Sequence, residues 1–270
     1  EIASCLVGSE MCIRDRTQSD KVELKVGDER IAGTFLHPDA KVPGVLFVHG
    51  WGGSQQSDLA RARGVAGLGC VCLTFDLRGH EKTRAERQRV SREDNLKDLL
   101  AAYDKLMAHP WIDSSAIAVV GSSYGGYLSA ILTTLRPVRW LALHVPALYR
   151  DTEWTRPKAS LDRQDIDRYR RSVVTSDENR ALGACRRFKG DVLIVEAERD
   201  DYIPHQTIMN YRAAFVESHS LTHRILDNSD HALTGEVSQA AYNGILMRWI
   251  TEMVICLLYT SPSPRDKRQS

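Results

Sequence analysis

The sequence contains no run of about 18 consecutive apolar residues, which is the length that a membrane-spanning helix requires. It also has almost no net charge, because 36 Lys and Arg residues stand against 35 Asp and Glu residues. Nucleic-acid-binding domains usually carry a basic excess, which this sequence lacks. We therefore expect neither a membrane nor a nucleic acid among the partners of this protein.

Motifs for metals and nucleotides are missing as well. The sequence has no HExxH motif and no paired CxxC motifs, so it has no recognisable zinc site. It has neither a lysine-bearing phosphate loop nor the GxGxxG pattern of dinucleotide-binding proteins. These absences predict that the protein uses no metal and no cofactor and relies on its own side chains.

The two ends of the chain have an unusual relationship at the level of their codons. Leu6–Arg16 reads LVGSEMCIRDR, and Cys256–Asp266 reads CLLYTSPSPRD. A nucleotide sequence that encodes the first segment encodes most of the second on its complementary strand, which unrelated protein ends would not do. Both segments resemble a transposase-type adapter used in sequencing environmental DNA, translated together with the gene. We therefore expect residues 1–16 and 256–270 to be tails outside the core of a domain that spans residues 17–255.

Cysteine use within residues 17–255 is sparse. Cys70, Cys72 and Cys185 are an odd number, and two of them lie on one face of a predicted strand, which is no disulfide framework. Cys70 and Cys72 are more consistent with small apolar core residues. We expect a reducing compartment, the cytoplasm, with a lost N-terminal signal peptide as the alternative.

Short apolar runs alternate with helical patterns along the domain. The runs are Val45–Val48, Val71–Phe75, Ala116–Val120, Leu141–His144 and Val192–Val195. Runs that are apolar on both faces are typical of parallel strands covered by helices. Apolar residues at helical spacing in 96–107, 128–135 and 241–250 predict three of those helices. A hairpin is predicted around Gly27-Asp28, and the whole pattern predicts one α/β domain with a doubly wound, mostly parallel sheet.

Residues Pro146–Gly190 interrupt this alternation, because they contain no strand pattern. The segment is rich in charged residues and has few large apolar ones, so we expect a short helical cap over the sheet. Long connections in compact domains are usually functional. Tyr149 and Trp154 in this segment are candidates to line a substrate pocket, with packing within the cap as the alternative.

A possible nucleophile is found in Gly121-Ser122-Ser123-Tyr124-Gly125, which fits the pattern GxSxG with Ser123 at its centre. A predicted strand precedes the motif and a predicted helix follows it, as a nucleophile elbow requires. The neighbouring glycines allow the tight turn, and the helix N-terminus stabilises negative charge that develops nearby. We therefore predict that Ser123 is the nucleophile.

Two further segments extend this pattern to the α/β-hydrolase superfamily, which the sequence resembles over residues 21–255. His49-Gly50-Trp51-Gly52-Gly53 is similar to the HGxxG loop of that superfamily. The resemblance implies an oxyanion hole formed by the backbone N–H groups of Trp51 and Tyr124. Asp76-Leu77-Arg78-Gly79-His80 is similar to a DxRGH segment, although Glu81 stands where the family usually has Gly. We interpret Asp76 and Arg78 as a structural pair that braces the oxyanion loop.

The remaining catalytic groups are expected after later strands. The segment after Val192–Val195 follows the family pattern GxxDxxxP with Ala197 in place of the glycine, which places the acid at Asp200, while Asp201 and Glu198 remain alternatives. His231, which lies shortly before the last helix, is the predicted base because the superfamily has the chain order Ser, Asp, His. His231 would take the proton of Ser123, and Asp200 would orient the imidazole.

The segment from Trp111 to Gly126 resembles the branch that contains dienelactone hydrolases and prolyl oligopeptidases. Dienelactone hydrolases use Cys where this chain has Ser123, and prolyl peptidases carry a large additional domain for which the first 20 residues leave no room. The resemblance therefore favours a stand-alone serine carboxylesterase that acts on small to medium esters, with a small-molecule ester as its partner. A small peptidase or amidase with the same triad is the alternative, and a non-catalytic binding module is a more remote one. The sequence does not indicate an oligomeric state.

Overall fold

The computed structural model describes residues 18–37 and 42–260 of the chain. Eight strands in this part of the chain form one sheet, in the order β1-β2-β4-β3-β5-β6-β7-β8. The strands are β1 (Gln18–Val26), β2 (Glu29–His37), β3 (Val42–Val48), β4 (Val71–Phe75), β5 (Ile112–Ser122), β6 (Trp140–His144), β7 (Asp191–Arg199) and β8 (Ser220–Asp230).

Helices connect most of these strands. They are α1 (Gln55–Ala66), α2 (Arg92–Met107), α3 (Tyr124–Leu132), α4 (Arg163–Arg170), α5 (Arg180–Arg187), α6 (His205–Ala214) and α7 (Glu236–Thr260). Two short 3-10 helices cover Glu81–Glu86 and Lys158–Ser160.

The sheet is mostly parallel, as the sequence predicts. Strands β3 to β8 run parallel to their neighbours, whereas β1 and β2 form the predicted antiparallel hairpin and β2 lies antiparallel to β4. Gly27 occupies the turn of the hairpin with a φ of 63°, a left-handed conformation that glycine adopts without steric cost. Each of the five apolar runs lies within one of the parallel strands, which confirms the doubly wound α/β prediction.

Both faces of the sheet are covered by helices, which explains why its central strands are apolar on both sides. One apolar cluster joins the sheet to α2, α3, α5 and α6. A second cluster on the opposite face contains residues of α1 and α7, including Trp249. All five residues of β4 are buried between the two layers.

The sequence reasoning missed three elements, β8, α1 and α6. Strand β8 lies at an edge of the sheet, and many of its side chains are exposed, so it lacks the continuous apolar run of the inner strands. Helices α1 and α6 bury residues such as Asp58 and Asn210 besides apolar ones, so they show little apolar periodicity.

The segment 146–190 contains no strand among its residues and includes α4, α5 and a short 3-10 helix. Helix α5 buries five residues and packs within the core cluster, so it is a regular connection between β6 and β7. The excursion over the sheet is therefore shorter than the predicted cap and ends before α5.

Only part of the predicted tails lies within the described residues. Residues 1–17 and 261–270 lie outside them. Helix α7 continues to Thr260 and does not end at the expected boundary at residue 255. Leu257 explains this continuation, because its side chain packs into the apolar cluster beneath the helix.

Candidate active site

The predicted nucleophile Ser123 lies on a sharp turn between β5 and α3. Its φ of 51° and ψ of −115° are uncommon for a residue with a side chain. A Cβ atom on Gly125 would collide with the carbonyl oxygen of Val48, and one on Gly121 would lie 2.8 Å from the carbonyl oxygen of Gly125. The Ser123 N–H donates to the carbonyl of His144 at 2.8 Å. The motif therefore has the strand-turn-helix geometry that an exposed nucleophile requires.

The other two predicted catalytic residues lie at the same edge of the sheet. Asp200 follows β7 and His231 follows β8, and these strands are parallel to β5. Arg199 pairs with Asp230 in the ladder, immediately before the two residues. Loops at the carboxyl ends of parallel strands meet at one edge, which brings segments that are distant in sequence together.

Ser123, His231 and Asp200 form a continuous chain of hydrogen bonds. His231 Nε2 lies 3.0 Å from Ser123 Oγ, and His231 Nδ1 lies 2.7 Å from Asp200 Oδ2. Both distances are within normal hydrogen-bond range. With Nδ1 donating to Asp200, Nε2 is free to accept the serine proton. The structure thus brings the three predicted residues into the arrangement of a nucleophile, a base and an acid.

The carboxylate of Asp200 is held in place by its own loop. Its second oxygen, Oδ1, accepts hydrogen bonds from the backbone N–H groups of Tyr202 and Ile203, both at 2.8 Å. Its side chain is 3% exposed, against 21% for His231. The two alternative acids are placed differently: Asp201 is exposed, and Glu198 accepts a hydrogen bond from the backbone of Asn228.

The loop that carries Asp200 is closed at its base by a second carboxylate. Glu196, in β7, is bonded to His205 Nδ1 at 2.6 Å, and His205 is the first residue of α6. The other oxygen of Glu196 is 3.0 Å from Nε2 of His223, in β8. Glu196 therefore connects both ends of the Asp200 loop to the strand that leads to His231.

The predicted oxyanion residues, Trp51 and Tyr124, both lie beside Ser123. Tyr124 is the first residue of α3, so its N–H group is in the first turn, where no helical acceptor is available. Trp51 lies in a turn closed by the Gly53 N–H, which donates to the Gly50 carbonyl at 3.0 Å. A Cβ atom on Gly50 would lie 3.8 Å from Ser123 Oγ, so this loop passes directly over the serine side chain.

Two buried histidines hold the oxyanion loop. His80 Nε2 accepts a hydrogen bond from the Gly52 N–H at 3.0 Å, and His49 Nε2 accepts one from the Leu77 N–H at 3.0 Å. Burial lowers the pKa of both imidazoles to about 4, so both are neutral near pH 7. A neutral imidazole has one acceptor nitrogen, which each of these contacts requires.

Asp76 and Arg78 do not form the predicted pair with each other. Asp76 accepts hydrogen bonds from the backbone and the side-chain amide of Gln55, at 2.7 and 2.9 Å. Arg78 instead forms an ion pair with buried Asp98, at 2.6 Å. Their role is thus to anchor α1 and α2, because each has a partner there. Glu81, at the position where the family usually has Gly, has a φ of 41°, a left-handed conformation that favours glycine.

The side chains of Trp51, Tyr124 and Tyr149 form an aromatic wall next to the oxyanion loop. Trp51 and Tyr124 contact each other edge to face, with ring centroids 5.6 Å apart, and Tyr149 contacts Tyr124 at 5.9 Å. The predicted pocket residue Tyr149 is buried within this wall. Trp154 is only half-buried and reaches the wall through Tyr127, at 6.4 Å. Of the two pocket candidates, Tyr149 therefore lies nearer to the reaction centre.

Two cations that the sequence analysis did not single out contact this wall. Lys158 Nζ lies 5.0 Å from the Tyr149 ring centroid, and the guanidinium of Arg170 lies 4.9 Å from it. Burial alone would raise the pKa of Tyr149, but these two cations outweigh burial and lower it. No local motif marks either residue, because the contacts form only when the segment after β6 folds back over the sheet.

None of the helices within residues 18–37 and 42–260 is long and apolar enough to cross a membrane. The same residues contain no group of three or more His, Cys, Asp or Glu side chains arranged to hold a metal ion. Cys70, Cys72 and Cys185 are buried free thiols.

The fold resembles that of several solved hydrolases. A dienelactone hydrolase from Anabaena variabilis ATCC 29413 is 18% identical with a TM-score of 0.64, over 88% of this chain and 98% of its own. A bacterial heroin esterase is 19% identical with a TM-score of 0.64, over 94% of this chain and 90% of its own. An acylaminoacyl peptidase from Pyrococcus horikoshii is 15% identical with a TM-score of 0.65, over 88% of this chain but 42% of its own. At these identities the likeness shows the α/β-hydrolase fold.

No curated protein matches the chain. The family model described as "Prolyl oligopeptidase family" matches residues 56–254, which include the serine, the acid and the histidine of the hydrogen-bonded chain. The match covers well over half of the chain, and it agrees with the branch that the sequence resembles. The chain therefore belongs to the prolyl oligopeptidase family, a family of serine hydrolases with the α/β-hydrolase fold.

Proposed function

We propose that the protein is a serine carboxylesterase that hydrolyses small to medium carboxylic esters through an acyl-serine intermediate. The observation that carries this proposal is the chain of hydrogen bonds from Ser123 Oγ through His231 to Asp200. A serine hydroxyl is a weak nucleophile near pH 7, and a positioned base with an orienting carboxylate is the usual way to activate it.

In the acylation step, Ser123 Oγ forms a bond to the carbonyl carbon of the ester while its proton moves to His231 Nε2. The C=O π electrons move onto the carbonyl oxygen, which becomes an oxyanion. His231 then gives its proton to the alcohol oxygen as the C–O bond breaks, so the alcohol leaves neutral and the acyl group stays on Ser123. Asp200 keeps the imidazole in the required tautomer and stabilises the imidazolium without itself taking the proton.

Deacylation repeats these steps with water in place of the alcohol. His231 removes a proton from water, the hydroxide oxygen bonds to the acyl carbon, and the proton returns to Ser123 Oγ as the ester bond to the enzyme breaks. The product is a carboxylic acid, which ionises near pH 7. The cycle consumes only the ester and water, and Ser123, His231 and Asp200 return to their starting protonation states.

The N–H groups of Trp51 and Tyr124 stabilise the oxyanion in both steps. Their contribution depends on being fixed before negative charge develops, and removal of one such donor typically slows a reaction by about 100-fold to 1000-fold. The support for this role is the loop held by His80 and the first turn of α3 beside Ser123.

A fluorophosphonate probe tests this proposal directly, because it forms a covalent bond only with an activated serine. Labelling is expected on Ser123 in the wild-type protein and not in a Ser123→Ala variant, with hydrolysis of 4-nitrophenyl butyrate lost in parallel. Absence of labelling in a folded wild-type protein would show that the triad is inactive and would favour a non-catalytic binding module.

Amide hydrolysis is a second candidate, because the family model is described by an oligopeptidase and one structural neighbour is an acylaminoacyl peptidase. The triad serves both reactions, because only the leaving group differs. Comparing kcat/KM for 4-nitrophenyl butyrate with that for an aminoacyl 4-nitroanilide separates the two. A higher value for the anilide would reverse the order of the two candidates.

A further inference from the structure

The ammonium group of Lys158 lies among three aromatic rings beside the reaction centre. Its Nζ is 4.7 Å from the Trp51 ring centroid, 5.4 Å from that of Tyr124 and 5.0 Å from that of Tyr149. Tyr124 directly follows the nucleophile in the chain, and Trp51 belongs to the oxyanion loop. The cation therefore contacts the residue that follows Ser123 and a residue of the loop that passes over the serine.

The backbone fixes the position of Lys158. Its N–H group donates to the carbonyl oxygen of Val90 at 2.8 Å. The preceding residue, Pro157, forms an antiparallel bridge with Ser91, which is the N-cap of α2. The segment that carries Lys158 is thus joined to the start of a core helix, so the ammonium has a defined place in the fold.

Two further cations stand against the same aromatic wall. The Arg87 guanidinium lies 5.0 Å from the Trp51 ring centroid, and that of Arg170 lies 4.9 Å from the Tyr149 centroid. Within the described part of the chain, no ion pair joins Lys158, Arg87 or Arg170 to a carboxylate. Arg170, however, donates hydrogen bonds to the carbonyl oxygens of Leu148 and Tyr202, at 3.2 and 3.0 Å, so it anchors the wall and its donors are already used.

Other arginines of the same segment behave differently. Arg150 is paired with Asp165, and Arg156 is paired with Glu153. Lys158 and Arg87, next to the oxyanion loop, instead contact the ring of Trp51, which leaves their positive charge without a counter-ion. This part of the site therefore has a positive potential that favours a negatively charged ligand group.

The position of Lys158 assigns it to one side of the substrate. The acyl carbon must reach Ser123 Oγ and the N–H groups of Trp51 and Tyr124 together. The side chains of those two residues contact Lys158. The leaving oxygen, in contrast, must reach His231, whose ring contacts Tyr202 at 5.2 Å. Lys158 therefore lies with the acyl part of the ester and not with the alcohol.

We propose that Lys158 is the specificity-determining residue of an acyl-side subsite for a carboxylate, assisted by Arg87, and that the preferred esters are hemiesters of short dicarboxylic acids. This inference rests on the proposed esterase function of Ser123. A carboxylate bound by Lys158 forms a charge-assisted hydrogen bond, which is shorter and stronger than a neutral one. The aromatic wall excludes water from the acyl chain that leads to it.

A matched substrate pair tests the subsite. The 4-nitrophenyl hemiester of glutaric acid and 4-nitrophenyl valerate have acyl chains of equal length and differ in a terminal carboxylate or methyl group. In the wild-type protein the hemiester is expected to have the higher kcat/KM. In Lys158→Met, which removes the charge and keeps an unbranched side chain, the hemiester-to-valerate ratio is expected to fall by about 10-fold to 100-fold, mostly through the KM of the hemiester.

Three controls accompany this pair. Lys189→Met removes an exposed charge that precedes β7, at the opposite edge of the sheet, and is expected to leave the ratio as in the wild type. Lys158→Arg keeps the charge and is expected to retain most of the preference. In the wild-type protein, raising the NaCl concentration from 0.05 to 1 M is expected to reduce the ratio, since salt screens the attraction.

Two outcomes overturn the inference in distinguishable ways. If Ser123-dependent hydrolysis proceeds but both esters have equal kcat/KM, or if the ratio is the same in Lys158→Met and Lys189→Met, the carboxylate subsite is wrong while the esterase function stands. If neither ester is hydrolysed and the fluorophosphonate probe does not label Ser123, both proposals fail. Should Lys158→Met not fold, a salt-independent ratio in the wild type overturns the subsite by itself.

Discussion

The two sides of Ser123 differ in how their charges are balanced. On the side of His231, the carboxylate of Asp200 has three hydrogen-bond donors, and Glu196 closes the loop around it through His205. On the side of Lys158, the ammonium of Lys158 and the guanidinium of Arg87 contact the ring of Trp51 and have no carboxylate partner among the described residues. The first side is electrostatically complete without a ligand, whereas the second is not.

In the proposed esterase, this difference corresponds to two tasks. Proton transfer needs groups whose tautomers and distances are fixed before the substrate arrives, so saturating the hydrogen bonds of Asp200 serves the reaction. Recognition of a negatively charged ligand group needs a positive charge and hydrogen-bond donors that no carboxylate of the protein already occupies. A cation held on aromatic faces keeps its position but retains donors for an incoming carboxylate. Substitutions on the side of His231 should therefore lower kcat, whereas substitutions on the side of Lys158 should raise the KM of a charged substrate.

The largest effect is expected on the reaction side, from the nucleophile. Ser123→Ala should lower kcat by about 10⁴-fold to 10⁶-fold, because the acyl intermediate can no longer form. Ser122→Ala is the matched control, since Ser122 ends β5 one residue before the turn. Steady-state kinetics with 4-nitrophenyl butyrate checks both variants, and similar losses in the two would contradict the assignment of Ser123.

The acid is the next test of that side. Asp200→Asn should lower kcat by about 10⁴-fold with little change in KM, because an amide favours the wrong imidazole tautomer. Asp201→Asn serves as the control, since this neighbouring carboxylate is exposed and points to no partner in the triad. If Asp201→Asn were the inactive variant, the acid would have been assigned one residue too early.

The arrangement of Ser123, Asp200 and His231 could be predicted from the sequence, whereas the position of Lys158 could not. The φ of Ser123 and the close approach at Gly125 are backbone requirements, and such requirements leave glycines at fixed positions in the sequence. Asp200 and His231 could be found because each directly follows a strand in a fixed chain order. Lys158 could not, because its contact with Trp51 joins residues about a hundred positions apart and depends on how the segment after β6 folds back.

Missing elements of the fold have a related cause. Strand β8 lies at an edge of the sheet, and its sequence has neither a continuous apolar run nor a regular alternation, so its pattern resembles a loop more than a strand. The ion pair of Arg78 with Asp98 was missed because it joins two buried charges across a strand and a helix. Sequence patterns therefore showed what the backbone requires, and they did not show which side chains meet over long distances.

Acid should weaken the protein through the neutral histidines that hold the oxyanion loop. Burial lowers the pKa of His80 from 6.5 to about 4, so between these values the unfolded chain binds a proton that the folded protein does not. The stabilisation is complete above pH 6.5 and is lost as the pH falls towards 4, with a change of about 2 kcal/mol by pH 5. Denaturant unfolding at pH 7, 6 and 5 measures it.

The His80→Leu variant separates the contribution of His80 to the pH dependence of stability from the opposing contributions of buried carboxyl groups. Asp58 and Asp98 have pKa values that burial raises to about 6, so they stabilise the folded state as the pH falls. Their effect cancels when wild type is compared with His80→Leu, which should lose less stability between pH 7 and 5. The exposed His219, changed to Gln, is the control and should behave as wild type. If the unfolding free energies of wild type and His80→Leu had the same pH dependence, folding would not lower the pKa of His80.

The smallest effect is expected at Trp154, which tests how far the recognition side extends. Its ring is half-buried and lies 5.3 Å from the guanidinium of Arg92 and 4.9 Å from that of Arg180, beyond the wall that surrounds Lys158. Only longer acyl groups could reach it, and a buried aromatic contact contributes about 1 kcal/mol, or a few-fold in kcat/KM. Trp154→Ala should therefore change the relative kcat/KM across 4-nitrophenyl esters of increasing acyl length, with acetate the least affected. A uniform decrease across the series, with a lower melting temperature, would instead mean that Trp154 only packs the segment over the sheet and that recognition ends at the ring of Tyr149.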